Sequence, residues 1–254
     1  MSPDSPATAA PWATRLAWWG TAWLRGWAAP DDLLDAVIGE EATHTVAGLA
    51  ALGLGGDDAA VTLMAGLARL RVEGATSFGA AYPVEGDLVG LGGPPAFNSE
   101  AVDAGQAVVA SGAGVGLVPV RVGAVVTWHA LPAAPRQLPD LGEADRGLRA
   151  ALLAAADELA SLDVARWRPE VADQLMNLRH RRSFLAPDGV PQRSVDLLSR
   201  AVQALQVVDL ALEDDGGAVS LHEIQARRAA LEPLARAGRH AMVAASSPEA
   251  WPPD

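Results

Sequence analysis

The hydrophobic pattern of this chain changes period near residue 135, and that change limits the folds open to it. Before it, short runs of valine, threonine and glycine alternate with turn residues, a pattern typical of strands. After it, leucines recur every three or four residues, which predicts amphipathic helices. Residues 1–135 carry 13 acidic side chains and 5 arginines, whereas residues 136–254 carry 18 and 14. We therefore expect an α+β protein, with an N-terminal mixed sheet domain that has a Trp-rich leading helix, followed by a C-terminal antiparallel helical bundle.

Composition also predicts where these parts begin and end. Residues 1–10 and 246–254 are rich in proline, serine and alanine and read as disordered tails. The α+β domain is expected over residues 11–135, and the helical bundle over residues 143–245. A proline-rich stretch leads into residues 136–142, which are expected to form a semi-rigid linker. With 254 residues, 50% of them hydrophobic, the chain is long enough to bury two such cores.

All 19 basic residues are arginine, and the chain contains neither lysine nor cysteine. This excludes a Schiff-base lysine, a P-loop, a thiolate nucleophile and sulfur-ligated zinc. Asparagine and isoleucine are scarce as well, a composition typical of a high-GC bacterial genome. An active site in this chain would have to be built from oxygen, imidazole and guanidinium groups.

The charge of the chain argues against several partner classes. A net charge of −12 and an isoelectric point near 4.8 do not suit nucleic-acid binding, which needs clustered positive charge. The N-terminus lacks the basic start of an export signal, so a cytoplasmic location is expected. The longest uncharged run, residues 104–120, contains four glycines and Pro119, which favour strands over a membrane helix. We therefore expect no stable membrane insertion.

Five of the eight tryptophans lie within residues 11–28. Four of the five recur at helical spacing and predict one apolar stripe, from which Trp18 lies apart. Such a stripe can pack on the chain's own sheet, which is its ordinary role, or dock on a partner. Of the outside partners, a protein suits the acidic chain better than an anionic membrane surface. The stripe comprises Trp12, Trp19, Trp23 and Trp27, together with Leu16.

One concentrated basic run, formed by Arg179, Arg181 and Arg182, is a second candidate binding site. Guanidinium groups bind carboxylates and phosphates through two parallel hydrogen bonds, so the run suits an acidic or phosphorylated partner. The alternative is the charged last turn of a helix, where cations complement the helix dipole.

A third candidate is the glycine- and proline-rich stretch of residues 86–99, which predicts an irregular loop beside the sheet. Such loops often line binding sites. Phe97 and Asn98 in this loop, together with His129 on a predicted strand, are therefore pocket candidates. The alternative is that the loop only carries the chain across the edge of the sheet.

Two motifs resemble cofactor sites but lack the necessary context. Asp31, Asp32 and Asp35 match the D-D-x-x-D pattern that holds magnesium in prenyl-diphosphate enzymes. Those enzymes are helical, whereas the middle of this chain predicts strands, and acids in a first helical turn explain the run more simply. The glycine-rich run at residues 112–116 is followed by a strand instead of the helix that dinucleotide binding needs, so it predicts a hairpin. We expect no metal and no cofactor.

Two functional hypotheses follow. The first is a cytoplasmic, non-catalytic protein-binding or adaptor protein that docks another protein on the tryptophan stripe or between its two parts; a second copy of the chain is an alternative partner. The second is an enzyme of hydrolase or transferase type with its site between sheet and bundle, using aspartate, glutamate, histidine or arginine. A buried acid or histidine with a shifted pKa facing a pocket favours the enzyme, and an exposed tryptophan face favours the binding protein.

Overall fold

The computed structural model describes residues 10–55, 59–161, 184–213 and 221–251. Its centre is a six-stranded mixed sheet, which precedes a set of long helices in the chain. This order confirms the predicted α+β class. The strands are β1 (Thr43–Ala47), β2 (Val61–Thr62), β3 (Ser77–Ala81), β4 (Ala107–Ser111), β5 (Val115–Val122) and β6 (Val125–Pro132). The helices are α1 (Trp12–Leu24), α2 (Pro30–Ile38), α3 (Leu63–Val72), α4 (Pro95–Ala104), α5 (Leu141–Ser161), α6 (Gln192–Glu213) and α7 (Leu221–Ala245).

The strands lie in the order β2-β1-β6-β5-β4-β3 across the sheet. β1 and β6 are parallel, and the other neighbouring strands are antiparallel. β4 and β5 form the hairpin that the glycine-rich run between them predicts. Gly112 has a φ of 92°, and a Cβ there would lie 2.3 Å from the carbonyl oxygen of Gly74. This turn needs glycine, because the neighbouring backbone leaves no room and other residues disfavour that φ.

The two faces of the sheet are covered unequally. One face carries Leu117, Val126 and Trp128, which are buried in the main core beneath α1 and α3. On the opposite face, α4 places Phe97 against β5. A Cβ at Gly116 would lie 2.2 Å from the Phe97 ring, so this glycine lets the helix sit directly on the strand. Among the described residues, α3 is the one α-helix with extensive contacts to β1 or β6, and it lies on the first face.

Helix α1 lies against the edge strand β3. A Cβ at Gly20 would lie 2.7 Å from the ring of Phe78, so the absence of a side chain allows the close approach. The hydroxyl of Thr21 accepts a hydrogen bond from the N–H of Phe78 at 2.9 Å and donates one to its carbonyl at 3.2 Å. α1 therefore satisfies backbone groups that an edge strand would otherwise leave open to pairing with another chain.

Trp18, which lies outside the predicted stripe, is the most deeply buried tryptophan of α1. The residue is 1% exposed, and its Nε1 donates to the carbonyl of Ala245 at 3.1 Å. Trp19 and Trp23, which belong to the stripe, are only half-buried. The tightly packed face of α1 is therefore the one with small residues that approach the sheet, and not the one with most tryptophans.

Helix α1 ends before the last tryptophan of the predicted stripe. Gly26 has a φ of 77°, and the N–H of Trp27 donates to the carbonyl of Ala22 at 2.8 Å, which closes the helix in a Schellman motif. The ring of Trp27 lies against Gly189, where a Cβ would come within 2.3 Å of it. Trp27 therefore contacts the segment before α6 from a position outside α1.

Residues 246–251 pack along the edge of the sheet, so the disordered tail predicted for residues 246–254 is wrong for this part. The N–H of Ala80 in β3 donates to the carbonyl of Ser246 at 2.9 Å, and Ser246 is fully buried. Composition alone suggested a tail, because it does not show that an edge strand offers these residues hydrogen bonds. Ala10, assigned to the other tail, is 7% exposed.

The expected linker, residues 136–142, is held in place at its start, since the Arg136 side chain is 2% exposed. One main core continues from the sheet through α1 into the helices that follow. No helix among the described ranges has both the length and the apolar character needed to cross a membrane. The fully buried leucines of α5, α6 and α7 in this core include Leu148, Leu198 and Leu231.

Candidate functional site

One half of one sheet face is not covered by any α-helix of the described residues. Residues paired across neighbouring strands project to the same face, so the strand register identifies its members. Three valines on it are well exposed, at 42% for Val120, 74% for Val122 and 36% for Val125. We name this surface the open sheet face. It comprises Thr43, Thr45, Ala47, Val120, Val122, Val125, Thr127 and His129.

The side chains of the open sheet face are uncharged or apolar, apart from one histidine. The face contains no lysine, arginine, aspartate or glutamate, and His129 is its one histidine. The hydroxyls of Thr45 and Thr127 bond to each other at 3.0 Å across β1 and β6, which leaves fewer polar groups that need water. β-branched side chains hold few rotamers, so little conformational entropy is lost when they are covered. An exposed apolar patch of this kind marks interaction sites on soluble proteins.

The predicted tryptophan stripe is arranged differently. Trp12, Trp19 and Trp23 are half-buried and pack against the main core, so the stripe presents no continuous exposed face. Trp12 also donates from Nε1 to Glu41 at 3.1 Å. The guanidinium of Arg71 lies 5.2 Å from the ring of Trp23 and shields part of it.

The other predicted site residues are scattered. Phe97 is a fully buried residue of α4, so its assignment as a pocket residue is wrong. The irregular loop predicted for residues 86–99 becomes a helix at Pro95. Asn98 accepts a hydrogen bond on Oδ1 from the N–H of Gly93 at 3.1 Å and fixes the start of α4. His129 is exposed on the open sheet face. Arg179, Arg181 and Arg182 lie outside the described residues.

A cleft of about 660 Å³ lies where the β4–β5 turn, the segment after β6 and residues 246–251 meet. Its walls include Arg25, Ser77 and Ser111. A salt bridge joins Arg136 Nε to Glu249 Oε1 at 3.0 Å inside this cleft. The sequence gives no sign of this pair, because its members lie 113 residues apart in the chain.

A second cavity, of about 460 Å³, lies between α5 and α7 and is lined by His240 and Arg236. His240 Nε2 donates to Asp87 Oδ1 at 3.0 Å, and Arg239 donates to the other carboxylate oxygen at 3.4 Å. Burial alone would raise the pKa of Asp87. The hydrogen bond from His240 and the charges of the two arginines outweigh it, so this pKa lies below its ordinary value.

A buried histidine lies near the N-terminal end of α1, beside Trp12. His44 accepts a hydrogen bond on Nδ1 from Trp128 Nε1 at 3.2 Å, so its proton is on Nε2 in the neutral form. Nε2 has no hydrogen-bond partner, and the nearest Glu41 oxygen is 3.8 Å away. Burial, followed by the charge of Arg15, lowers the pKa of His44 to about 4. Within the described residues, no group of three or more histidine, aspartate or glutamate side chains is placed to hold a metal ion.

The fold and these sites define an α+β protein whose mixed sheet and following helices share one core. Among known proteins, the chain belongs to the family of Rv1486c-like proteins. The N-terminal domain of that family matches residues 13–141, and its C-terminal domain matches residues 142–243.

Relatives of similar length occur in mycobacteria. The uncharacterised protein Rv1486c of Mycobacterium tuberculosis (strain ATCC 25618 / H37Rv) is 33% identical over 93% of this chain and 97% of its own length. The uncharacterised protein ML1804 of Mycobacterium leprae (strain TN) is 30% identical, with the same coverage of both chains. No solved structure matches the chain.

Proposed function

We propose that the protein is a non-catalytic adaptor of the cytoplasm, which docks one amphipathic helix of another protein on the open sheet face. The observation that carries this proposal is the row of exposed valines on an uncharged sheet surface, at 42%, 74% and 36% exposure. Water contact with these side chains is unfavourable by roughly 25 cal/mol per Å² of apolar area, so covering them would stabilise a complex. The docking surface therefore differs from the tryptophan stripe that the sequence indicates.

The size of the open sheet face suits a single helix. Its three strands lie about 4.8 Å apart, which gives a width of about 10 Å, the diameter of one α-helix. Along β6 it extends from Val125 to His129, about 13 Å, or between two and three helical turns. A second copy of the chain would bring the exposed acids of its own α4 toward the acids of the α4 beside this face, so it is the less suitable occupant.

The neighbouring helix indicates both the geometry and the charge of the partner. α4 already covers the other half of this face by resting Phe97 on β5, and a second helix beside it would complete the same layer. α4 exposes Glu100 and Asp103 and contains no basic residue. We therefore infer a partner helix whose apolar side is flanked by lysine or arginine.

A matched pair of substitutions tests this proposal. Val122→Glu places a charge on the open sheet face, whereas Val72→Glu places one on α3, where Val72 is 88% exposed. Both tagged variants and the parent chain are used to capture proteins from a mycobacterial extract. We expect at least one protein that is lost with Val122→Glu and retained with Val72→Glu. A synthetic peptide of its amphipathic helix should compete for binding. Identical retention by all three chains would contradict the proposal.

The cavity between α5 and α7 favours a second candidate, a hydrolase. There His240 is oriented by the Asp87 carboxylate, as a general base must be, and Arg236 lines the same cavity. Turnover of chromogenic acyl and phosphoryl esters tests this candidate. An activity lost with His240→Gln and kept with the distant His129→Gln would support it. Turnover no faster than in the absence of protein for every ester would contradict it.

A further inference from the structure

Arg136 is held in place by groups other than its acidic partner. Its NH1 donates to the carbonyls of Ala80 at 2.7 Å and Gly90 at 3.4 Å. Its NH2 donates to the hydroxyl of Ser247 at 2.7 Å. A Cβ at Gly79 would lie 2.0 Å from NH2, so glycine at this position makes room for the guanidinium against β3. Arg136 is therefore a fixed platform at the floor of the 660 Å³ cleft.

Three donors on this platform converge on one carboxylate. Arg136 Nε donates to Glu249 Oε1 at 3.0 Å, and NH2 donates to Oε2 at 3.1 Å. The hydroxyl of Ser111 donates to Oε1 at 2.9 Å. Paired hydrogen bonds from a guanidinium, reinforced by a hydroxyl, are a strong and geometrically selective way to bind a carboxylate.

The carboxylate that occupies these donors belongs to a small element of the chain itself. Glu249 lies in a single 3-10 turn, Pro248–Ala250, and its side chain is 15% exposed, whereas that of Arg136 is 2% exposed. Free volume continues beside it within the cleft. Arg25 also lines this volume, and its NH2 donates only to the carbonyl of Pro248, at 3.3 Å, among the hydrogen bonds of the described residues.

We propose that this cleft is a binding site for a dicarboxylate ligand and that Glu249 fills it from within the chain until the ligand displaces it. One carboxylate of the ligand takes the place of Glu249 on Arg136 and Ser111. The second carboxylate reaches Arg25, which lines the same cleft. The internal carboxylate competes at a high effective concentration, which keeps the affinity of the unaltered chain low. This site is separate from the open sheet face and does not depend on the proposed adaptor function.

Removal of the internal competitor tests the proposal. Glu249→Ala, in the full chain, should bind glutarate at least about tenfold more tightly than the unaltered chain, as measured by calorimetry. Glutarate should also raise the melting temperature of this variant, whereas the uncharged glutaramide should not. Glu232→Ala, which removes an exposed acid on α7, is the matched control and should bind glutarate as weakly as the unaltered chain.

Further variants separate a ligand site from a purely structural salt bridge. Adding Ser111→Ala to Glu249→Ala should weaken glutarate binding, and adding Arg25→Gln should remove the preference for glutarate over butyrate. If Glu249→Ala folds poorly, Glu249→Gln, which keeps the volume and loses the charge, takes its place. Equal glutarate affinity in the Glu249 variant and the Glu232→Ala control would overturn the proposal. Glutarate affinity that Ser111→Ala leaves unaffected would overturn it as well.

A peptide arm distinguishes the source of the carboxylates. An acetylated and amidated peptide with two adjacent glutamates is titrated in parallel with glutarate. Tighter binding of the peptide to Glu249→Ala indicates that acidic side chains of a protein are the ligand, and tighter binding of glutarate indicates a small metabolite. Both results support the carboxylate site, and binding of neither to the variant contradicts it.

Discussion

At the scale of single residues, His44 links the stability of the fold to pH. Its ring is enclosed between Trp12 and Trp128, and Trp128 donates to its Nδ1. The second proton would have to go to Nδ1, so protonation would break this bond and leave a charge on a ring without solvent contact. The pKa of about 4 in the folded chain therefore lies below the value of 6.5 expected when the chain is unfolded.

This difference predicts a loss of stability in acid. The full contribution of neutral His44 is present above pH 6.5 and is lost as the pH falls toward 4, because the unfolded chain then binds the proton more readily. Between pH 7.5 and pH 4.5, the free energy of unfolding should fall by about 2–3 kcal/mol from this group alone. Urea denaturation at both pH values measures the change.

The comparison needs two histidine variants. His44→Gln keeps an acceptor for Trp128 and removes the titration, so its stability should depend less on pH than that of the unaltered chain. His129→Gln changes an exposed histidine and should leave the pH dependence unaltered. A pH dependence of His44→Gln equal to that of the unaltered chain would show that another group is responsible.

At the scale of elements, α1 shows that helical spacing and packing can select different faces. Four tryptophans share one stripe, yet Trp18 is the one that is fully buried and hydrogen-bonded. Trp18→Ala should therefore lower the free energy of unfolding by about 3–5 kcal/mol. Trp23→Ala should cost less than half as much, since its side chain is only half-buried. Chemical denaturation measures both, and equal losses would contradict this assignment of the packing face.

The strands were predictable because local sequence determines them. Val108, Leu117 and Val126 belong to runs of β-branched or large apolar residues, and the glycines at the β4–β5 turn fix its position. The face of α1 was less predictable. It depends on whether Gly20 meets Phe78, a contact between residues 58 positions apart that no local periodicity records.

The candidate sites were less predictable still. The open sheet face follows from which half of the sheet α4 covers, and this depends on the fit between Phe97 and Gly116. No motif distinguishes Arg136 or Glu249 from the other charged residues of the chain. Their pairing becomes visible only in the folded structure. The one sequence signal that could have indicated this site is Arg136, a charged residue within a proline-rich stretch.

At the level of the whole molecule, the sheet and the helices after it share one hydrophobic core. A buried hydroxyl network joins Thr14 of α1 to Tyr82 and to Ser246, where the Thr14–Ser246 distance is 2.8 Å. The main core extends without interruption from α1 and the sheet to α7. The two parts that differ so clearly in sequence pattern therefore depend on each other for stability.

Urea unfolding tests this dependence. Tryptophan fluorescence reports mainly on α1 and the sheet, and far-ultraviolet circular dichroism reports mainly on the long helices. We expect the two signals to change at the same urea concentration, as in a two-state transition. Midpoints separated by more than about 0.5 M would indicate two independent domains.

We propose above that a partner helix docks on the open sheet face and not on the tryptophan stripe. Placing a photoreactive phenylalanine analogue at position 122 or at position 23, followed by irradiation in mycobacterial cells, tests it most directly. We expect crosslinks from position 122 to a basic amphipathic helix of one other protein, and none to that protein from position 23. Crosslinks to that helix from position 23 alone would contradict the proposed docking. The absence of crosslinks from both positions would contradict it as well.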